Sequence, residues 1–335
     1  MAVKTRILII SDTHGGSFTV RPEHKADVVI HCGDLTDESK LEEYRRTIQL
    51  IKEIDAPLKL AIAGNHDFTL DTQTFKQRLS EAAVPLEPEL VRREYGDYGE
   101  ARRLFGEAPG VTLLDEGTHK FHLQNGALLT VYASPYTPSL SGNTFQYYPD
   151  TGHKFDIGKE TDIVITHGPP DGIMDRTRRG RAGSVDLFQA VARAQPRLHC
   201  FGHIHEEWGA MLVTWREHST EAPFFKDIDY DRSTIIETLR RITVHNYDAP
   251  KIKAQKVYRA AQYTHQGYCA TSCSHEDHGS TPVPNRRTLF VNAAVKGITD
   301  TFPMHPPWIV DIDLPPAHPQ EPTLATSSSH AMRGD

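Results

Sequence analysis

The sequence predicts an α/β fold, a layer of covered strands joined by crossover helices, and three observations predict it. Short aliphatic runs recur and end abruptly in small and polar residues: RILIISDTHG, ADVVIHCGDLTD, LKLAIAGNHD, DIVITHGPP and RLHCFGHIH. Continuous apolar runs of this length suit strands covered on both faces. Between the second and third runs, SKLEEYRRTIQLIKEID places Leu41, Tyr44, Ile48 and Ile51 at helical spacing, so strand, helix and strand follow one another. Side chains able to bind metal stand just beyond the strand ends, where α/β proteins gather their active-site loops.

Taken in order, MAVKTRILIISDTHG reads as the first strand and not as a leader. Its apolar part is short and runs into SDTHG instead of a small-residue cleavage site. The stretch from FKQRLSEA through YGEARRLFGEAPGVTLLDEG reads as helical with a strand after it, and FHLQNGALLTVYASPY as a hairpin turning at Asn125-Gly126. SVDLFQAVARAQP reads as another crossover helix, packing through Leu187, Val191 and Ala194. After HIHEEWGAMLVTW the periodicity fades. Residues 216–286 are polar and His-rich, with one helix expected near TIIETLRRI. RTLFVNAAVKG and WIVDIDL read as strands of a second layer. The organisation expected is therefore one domain over residues 1–314 with an insertion at 216–286, and a disordered tail over 315–335. There is no internal repeat, and the closing Arg333-Gly334-Asp335 is read as chance.

A chain of 335 residues that is 38% hydrophobic and 24% charged can build a full core. Its net charge of -7 argues against a broad nucleic-acid surface, although a local basic groove would survive it. No apolar run approaches the roughly 20 residues that cross a bilayer, so no membrane partner is expected, and a cytoplasmic location is. The four cysteines are too sparse for a disulfide framework. The nineteen histidines are the unusual count, many of them in short motifs beside Asp, Asn or Gly.

Asp12, His14, Asp34, Asn65, His167, His203 and His205 combine carboxylate and amide oxygen with imidazole nitrogen. That mixture suits two divalent or transition ions, of Mn, Fe or Zn. One ion rarely needs so many protein ligands, whereas two adjacent ions sharing a carboxylate use them economically. Asp34 is the natural shared group, since it follows the second strand near the centre of the expected sheet. Asp, Asn, Gly and His are also common at loop starts, so each motif alone is weak; five of them in this order are not.

SDTHG, GDLTD, GNHD, THGPP and GHIH resemble the five blocks of the calcineurin-like metallophosphoesterase superfamily. DIVITHGPPDGIMD, ASPYTP and LFVNAAVKG resemble its MPPED branch of small metallophosphodiesterases. The resemblance covers residues 5–215 and resumes over 287–315. It implies two mixed β-sheets packed face to face as a sandwich, flanked by helices, with metals above the strand ends. One ion would be held by Asp12, His14, Asp34 and His205, the other by Asp34, Asn65, His167 and His203. Some members of the branch carry glycine in place of the first histidine of GHxH; His203 is present here, which implies an active enzyme. His66 would stabilise the phosphate or protonate the departing oxygen. Asp37 would orient His66 through its carboxylate, with helix capping as the alternative.

Paired ions neutralise phosphoryl oxygens and activate a water for in-line attack. The implied substrate is a small phosphodiester of cyclic-nucleotide type. Nucleic acid, a phosphomonoester or a phosphoprotein are alternatives, and a non-catalytic nucleotide-binding or scaffold protein is the contrasting class. Gly15, Gly33, Gly64, Gly168 and Gly202 would keep side chains out of the metal cavity. Asp67 would tie its own turn, and His31 and His199 would pack locally. Tyr136, Phe145 and Tyr147 would either stack on a base or pack loop against sheet. Cys269, Cys273, His275 and His278 offer zinc ligands at an unfamiliar spacing, with a polar loop as the plainer reading. The insertion would serve as lid, partner surface or pocket rim.

Overall fold

The computed structural model describes residues 2–84, 86–140, 144–217, 222–274, 286–299 and 302–317. Thirteen strands make two mixed sheets. They are β1 (Val3–Ile10), β2 (Val28–His31), β3 (Leu58–Ala61), β4 (Val111–Leu113), β5 (Gly117–His122), β6 (Leu128–Ser134) and β7 (Ile163–Thr166). The rest are β8 (Leu198–Phe201), β9 (Gly209–Thr214), β10 (Thr234–Thr238), β11 (Cys269–Ser272), β12 (Arg287–Asn292) and β13 (Trp308–Leu314). The six-stranded sheet runs β11-β13-β1-β2-β3-β4 and the seven-stranded sheet β10-β9-β12-β8-β7-β6-β5. In the first, β1 to β4 are parallel and β13 is antiparallel to β1. In the second, β6, β7, β8 and β12 are parallel.

Alternation along the strands explains why the aliphatic runs lack polar gaps. Ile7, Ile9, Val28 and Ile30 of the first sheet share a buried core with Val131, Ile163, Ile165 and Leu198 of the second. The residues between them face outward. Leu8, Ile10 and Val29 pack under Leu41, Tyr44, Ile48 and Ile51 of α1 (Leu41–Glu53). Val164 and Phe201 pack under Leu187, Phe188 and Val191 of α5 (Val185–Ala194). Each sheet is thus covered on both faces, and the two sheets form the expected sandwich. The middle segment holds α2 (Thr72–Ser80), α3 (Pro88–Tyr95) and α4 (Glu100–Gly106) before β4. The hairpin turns at Asn125-Gly126, where Gly126 takes φ +88° and its N–H donates to the Leu123 carbonyl at 3.0 Å.

Two expectations change. WIVDIDL is not in the second layer: β13 returns to the first sheet and pairs with β1 from Val3 opposite Leu314 to Ile9 opposite Trp308. Only RTLFVN lies in the second sheet. TIIET is a strand, not a helix; β10 pairs antiparallel with β9, and the helix that follows, α6 (Leu239–Ile242), is a single turn. The insertion also holds α7 (Pro250–Gln266), and it adds one edge strand to each sheet, β10 to the second and β11 to the first. None of the described helices is long and apolar enough to cross a membrane.

Candidate metal centre

The ligand-rich turns follow β1, β2, β3, β7 and β8 and are laced to one another by main-chain bonds. Asp12 N–H donates to the Gly33 carbonyl at 2.9 Å, His14 N–H to the Asp34 carbonyl at 3.1 Å, and Gly202 N–H to the His167 carbonyl at 2.9 Å. Four of the residues expected at the site hold left-handed backbone: Asp12 at φ 54°, His14 at 49°, Asp34 at 52° and His203 at 68°. Non-glycine residues avoid that region, and clustered strain of this kind persists where the surroundings over-determine it. Gly64 and Gly202 are required by crowding. A Cβ on Gly64 would lie 2.3 Å from Asp34 Oδ1, and one on Gly202 2.0 Å from Asp12 Oδ2.

Asp12, His14 and His205 bring ligand atoms within 4.8 Å of one another, and so do Asp34, His167 and His203. Asn65 joins the second group, its Oδ1 lying 2.9 Å from His167 Nε2. Asp34 stands between the groups. Its Oδ1 is 3.3 Å from His167 Nε2 and its Oδ2 is 3.8 Å from His14 Nε2, one oxygen to each side.

The donor set fits divalent ions. Both ring nitrogens of His14 are buried without an aligned hydrogen bond, although Nδ1 is 3.0 Å from an Asp37 oxygen. Burial disfavours charge on Asp12, but the His205 hydrogen bond and the nearby His205, His167 and His14 charges hold its carboxyl well below the usual range. Burial likewise opposes charge on Asp34, and the His167 charge and hydrogen bond win, bringing it to about 2. Burial pushes His203 down to about 4 and keeps it neutral, as a ligand imidazole must be. Outer contacts fix ring orientation: His167 Nδ1 bonds the Cys32 carbonyl at 2.9 Å, and Asp12 accepts from His203 N–H at 3.0 Å and from His205 Nε2 at 3.1 Å.

His167 sets a pH dependence. Burial lowers its pKa, but the facing Asp34 carboxylate outweighs this and raises it to about 9. A ligand imidazole is deprotonated, so an ion must displace that proton at any pH below about 9. Manganese uptake at pH 7 is expected to release protons, and apparent affinity to climb with pH until it levels near 9. Indicator-monitored titration in weak buffer checks this; uptake without proton release contradicts it.

His66 projects beside His14, with ring centroids 4.7 Å apart. The expected contact between His66 and the Asp37 carboxylate is not made. His66 Nδ1 meets the Asp37 main-chain carbonyl at 2.6 Å. The carboxylate Oδ1 is instead held 3.0 Å from Lys296 Nζ and 3.0 Å from His14 Nδ1, and those two nitrogens draw it away. Nor does Asp37 cap α1: Glu43 does so, accepting from the N–H groups of Asp37, Glu38 and Lys40.

Asp67 ties turns together, accepting from Gly64, Leu35 and Thr36 N–H groups at 2.8, 3.1 and 3.0 Å. His31 and His199 are buried against the Thr13 and Thr166 hydroxyls. Tyr136 and Tyr147 pack instead of framing an open platform: both rings stack on His153, at 4.6 and 5.2 Å, and His153 Nε2 is 2.7 Å from Glu116. Of the suggested zinc ligands, Cys269 is buried in β11, which pushes its thiol up to about 12; His275 and His278 lie outside the described residues, as does 318–335 of the expected tail. Sequence reasoning missed Lys296 and Asn292. Asn292 donates to the Ile204 carbonyl at 2.9 Å and so braces the GHIH turn. The signal for both was a sixth strand end, RTLFVNAAVKG, whose polar residues follow an aliphatic run as the other five do.

A family model for calcineurin-like phosphoesterases matches residues 5–207, and the chain belongs to that family. It is 31% identical over 217 residues to human Metallophosphoesterase domain-containing protein 1, a match covering 62% of each chain. It is 32% identical over 213 residues to Probable rhamnogalacturonate lyase C of Emericella nidulans, covering 63% of this chain and 18% of that one. A UPF0046 protein of Caenorhabditis elegans is 29% identical over 215 residues, covering 62% of this chain and 65% of its own. The matches thus span less than two thirds of each of these relatives.

Proposed function

We propose that the chain hydrolyses small phosphodiesters with two divalent ions bound at this centre. The observation that carries the reading is the carboxylate of Asp34, which turns one oxygen toward the Asp12, His14 and His205 group and the other toward the His167 and His203 group. When bound, the ions supply polarisation of the phosphoryl oxygens and activation of water. Asp12, His14, Asp34 and His205 hold one ion in this reading; Asp34, Asn65, His167 and His203 hold the other. His66 is half-buried beside His14, with Nδ1 fixed on the Asp37 carbonyl, which leaves Nε2 for the substrate in this reading. That nitrogen hydrogen-bonds a phosphoryl oxygen or gives a proton to the departing alcohol.

The test is a manganese-supplemented panel of bis-p-nitrophenyl phosphate, p-nitrophenyl phosphate, cyclic nucleotides and short single-stranded oligonucleotides, with and without chelator. Chelation is expected to abolish turnover and added divalent ion to restore it. Turnover that survives complete chelation refutes the proposal. His66→Ala is expected to slow kcat by about 10²–10⁴-fold with metal content unchanged; loss of bound metal in that variant would make His66 a ligand.

A nuclease is the second reading, and one feature favours it. The hairpin rooted just past His167 carries Arg176, Arg178, Arg179 and Arg181. Only Arg181 makes an ion pair among the described residues, at 2.7 Å to Asp175. The oligonucleotide arm of the panel decides between the two.

A further inference from the structure

A cavity of about 250 Å³ opens beside the Asp12 and His14 side of the centre. Its apolar walls include Phe18, Val295 and Met304, and its charged end is formed by His14, Asp37 and Lys296. One wall is the loop after β1, the other the short hairpin of Lys296–Thr299 and Phe302–Met304. Both are anchored. Val295 N–H donates to the Ser11 carbonyl at 2.9 Å, pinning the hairpin to the loop that carries Asp12. Phe18, partly buried, packs against the core cluster that holds the buried face of α1. The insertion holds the far end of its loop, since Arg21 donates to the Thr264 and His265 carbonyls of α7 and His24 Nε2 bonds the Gly267 carbonyl at 3.0 Å.

Lys296 is the cation at the mouth. Its side chain is 45% exposed and, among the described residues, uses one hydrogen bond, to Asp37 Oδ1 at 3.0 Å. An ammonium has three N–H donors, so two remain for an incoming anion without breaking the pair with Asp37. At about 250 Å³ the space is below the usual range for a whole ligand pocket, about 300–1,000 Å³, and matches one substituent of an ester. Charge at one end and apolar surface along the walls suit a phosphoryl group carrying an aromatic or otherwise apolar organic group.

We propose that this cavity is the substituent subsite of the centre: Lys296 is a substrate-positioning residue that donates to a phosphoryl oxygen, and the Phe18, Val295 and Met304 walls take an apolar, preferably aromatic, ester group. The inference rests on the phosphodiesterase reading for its biological meaning, but its test does not need turnover. Phenylphosphonate and methylphosphonate keep the anion and differ in the organic group, and neither is hydrolysed.

Calorimetry on the manganese-loaded protein is expected to show phenylphosphonate binding more tightly than methylphosphonate. Lys296→Met should weaken both by about tenfold, the value of one charge-assisted hydrogen bond, and Lys296→Arg should restore most of the loss. Phe18→Ala should remove the phenyl advantage and leave methylphosphonate unchanged. With bis-p-nitrophenyl phosphate, Lys296→Met should raise KM and leave kcat within a few-fold, with manganese uptake unaltered. The inference is overturned if wild type binds neither phosphonate, if phenyl has no advantage over methyl, or if Lys296→Met binds both as wild type does. Phosphonate binding in this pattern without hydrolysis of any ester would sink the phosphodiesterase reading alone; hydrolysis with an unchanged Lys296→Met would sink the subsite alone.

Discussion

Asp34→Asn is expected to cut kcat/KM by at least about 10³-fold, a loss on the scale of removing a principal electrostatic stabiliser of the transition state. The substitution keeps size and shape. The asparagine oxygen can still accept from His66 N–H, which lies 2.9 Å from Asp34 Oδ1, so the turn is retained and folding does not confound the result. What disappears is the negative charge and one of the two oxygens facing the ligand groups. Bound manganese per chain should fall, because an amide offers one oxygen where the carboxylate offers two. A second readout needs no metal. Against burial, Asp34 is the leading cause of the raised pKa of His167, so the His167 proton of the metal-free variant should titrate lower, as followed by NMR. Asp37→Asn is the contrast: its carboxylate lies toward His14 and Lys296, at the edge of the centre, and the loss should be about tenfold, near the worth of a single charge-assisted bond. Wild-type turnover in Asp34→Asn would reject the shared carboxylate.

The candidate ligands were legible because each chemical block is local. Asp12 and His14 share one turn, Asn65 and His66 another, His203 and His205 a third, and each turn follows a strand whose aliphatic run is visible by itself. What could not be read depends on residues far apart. Nothing within WIVDIDL says that it pairs with Val3–Ile9 instead of its sequence neighbours; sheet membership is a long-range choice. α7 escaped notice because its only buried residue is Lys256, while Ile252, Val257 and Tyr258 are exposed, so it has no apolar stripe. Its remaining signals were Pro250 in the first turn and Gly267 just past the end. Whether Asp37 turns its carboxylate or its carbonyl to His66 was decided by Lys296, from the other end of the chain. In the same way Glu116 and His153 decided that Tyr136 and Tyr147 pack. Local spacing names the residues that come to the site; partners from distant segments settle what each does there.

Gly202→Ala is expected to produce the largest effect of any single methyl group. The added Cβ would lie 2.0 Å from Asp12 Oδ2 and 2.1 Å from Ser11 Oγ, and neither neighbour can withdraw. Both residues are fully buried. The Asp12 carboxylate is fastened by His203 N–H and His205 Nε2, and the Gly202 N–H is tied to the His167 carbonyl at 2.9 Å. Overpacking of a well-filled site costs about 1–3 kcal/mol or more, and here relief can come only by shifting Asp12 away from His205. Two effects should therefore appear together: a lower melting temperature of the metal-free chain and loss of the upward shift that manganese gives wild type. An ion at 100 times its Kd contributes about 2.7 kcal/mol, so that shift is readily measured. Gly110→Ala separates the local cost from the functional one. Gly110 holds a left-handed φ, +85°, which Gly202 does not, and a Cβ there meets nothing within 4 Å. It should lose only about 1–2 kcal/mol of backbone preference and keep its full response to manganese. If Gly202→Ala kept the same manganese-induced shift as Gly110→Ala, Asp12 would not be holding an ion beside that turn, and the centre would have to be built without it.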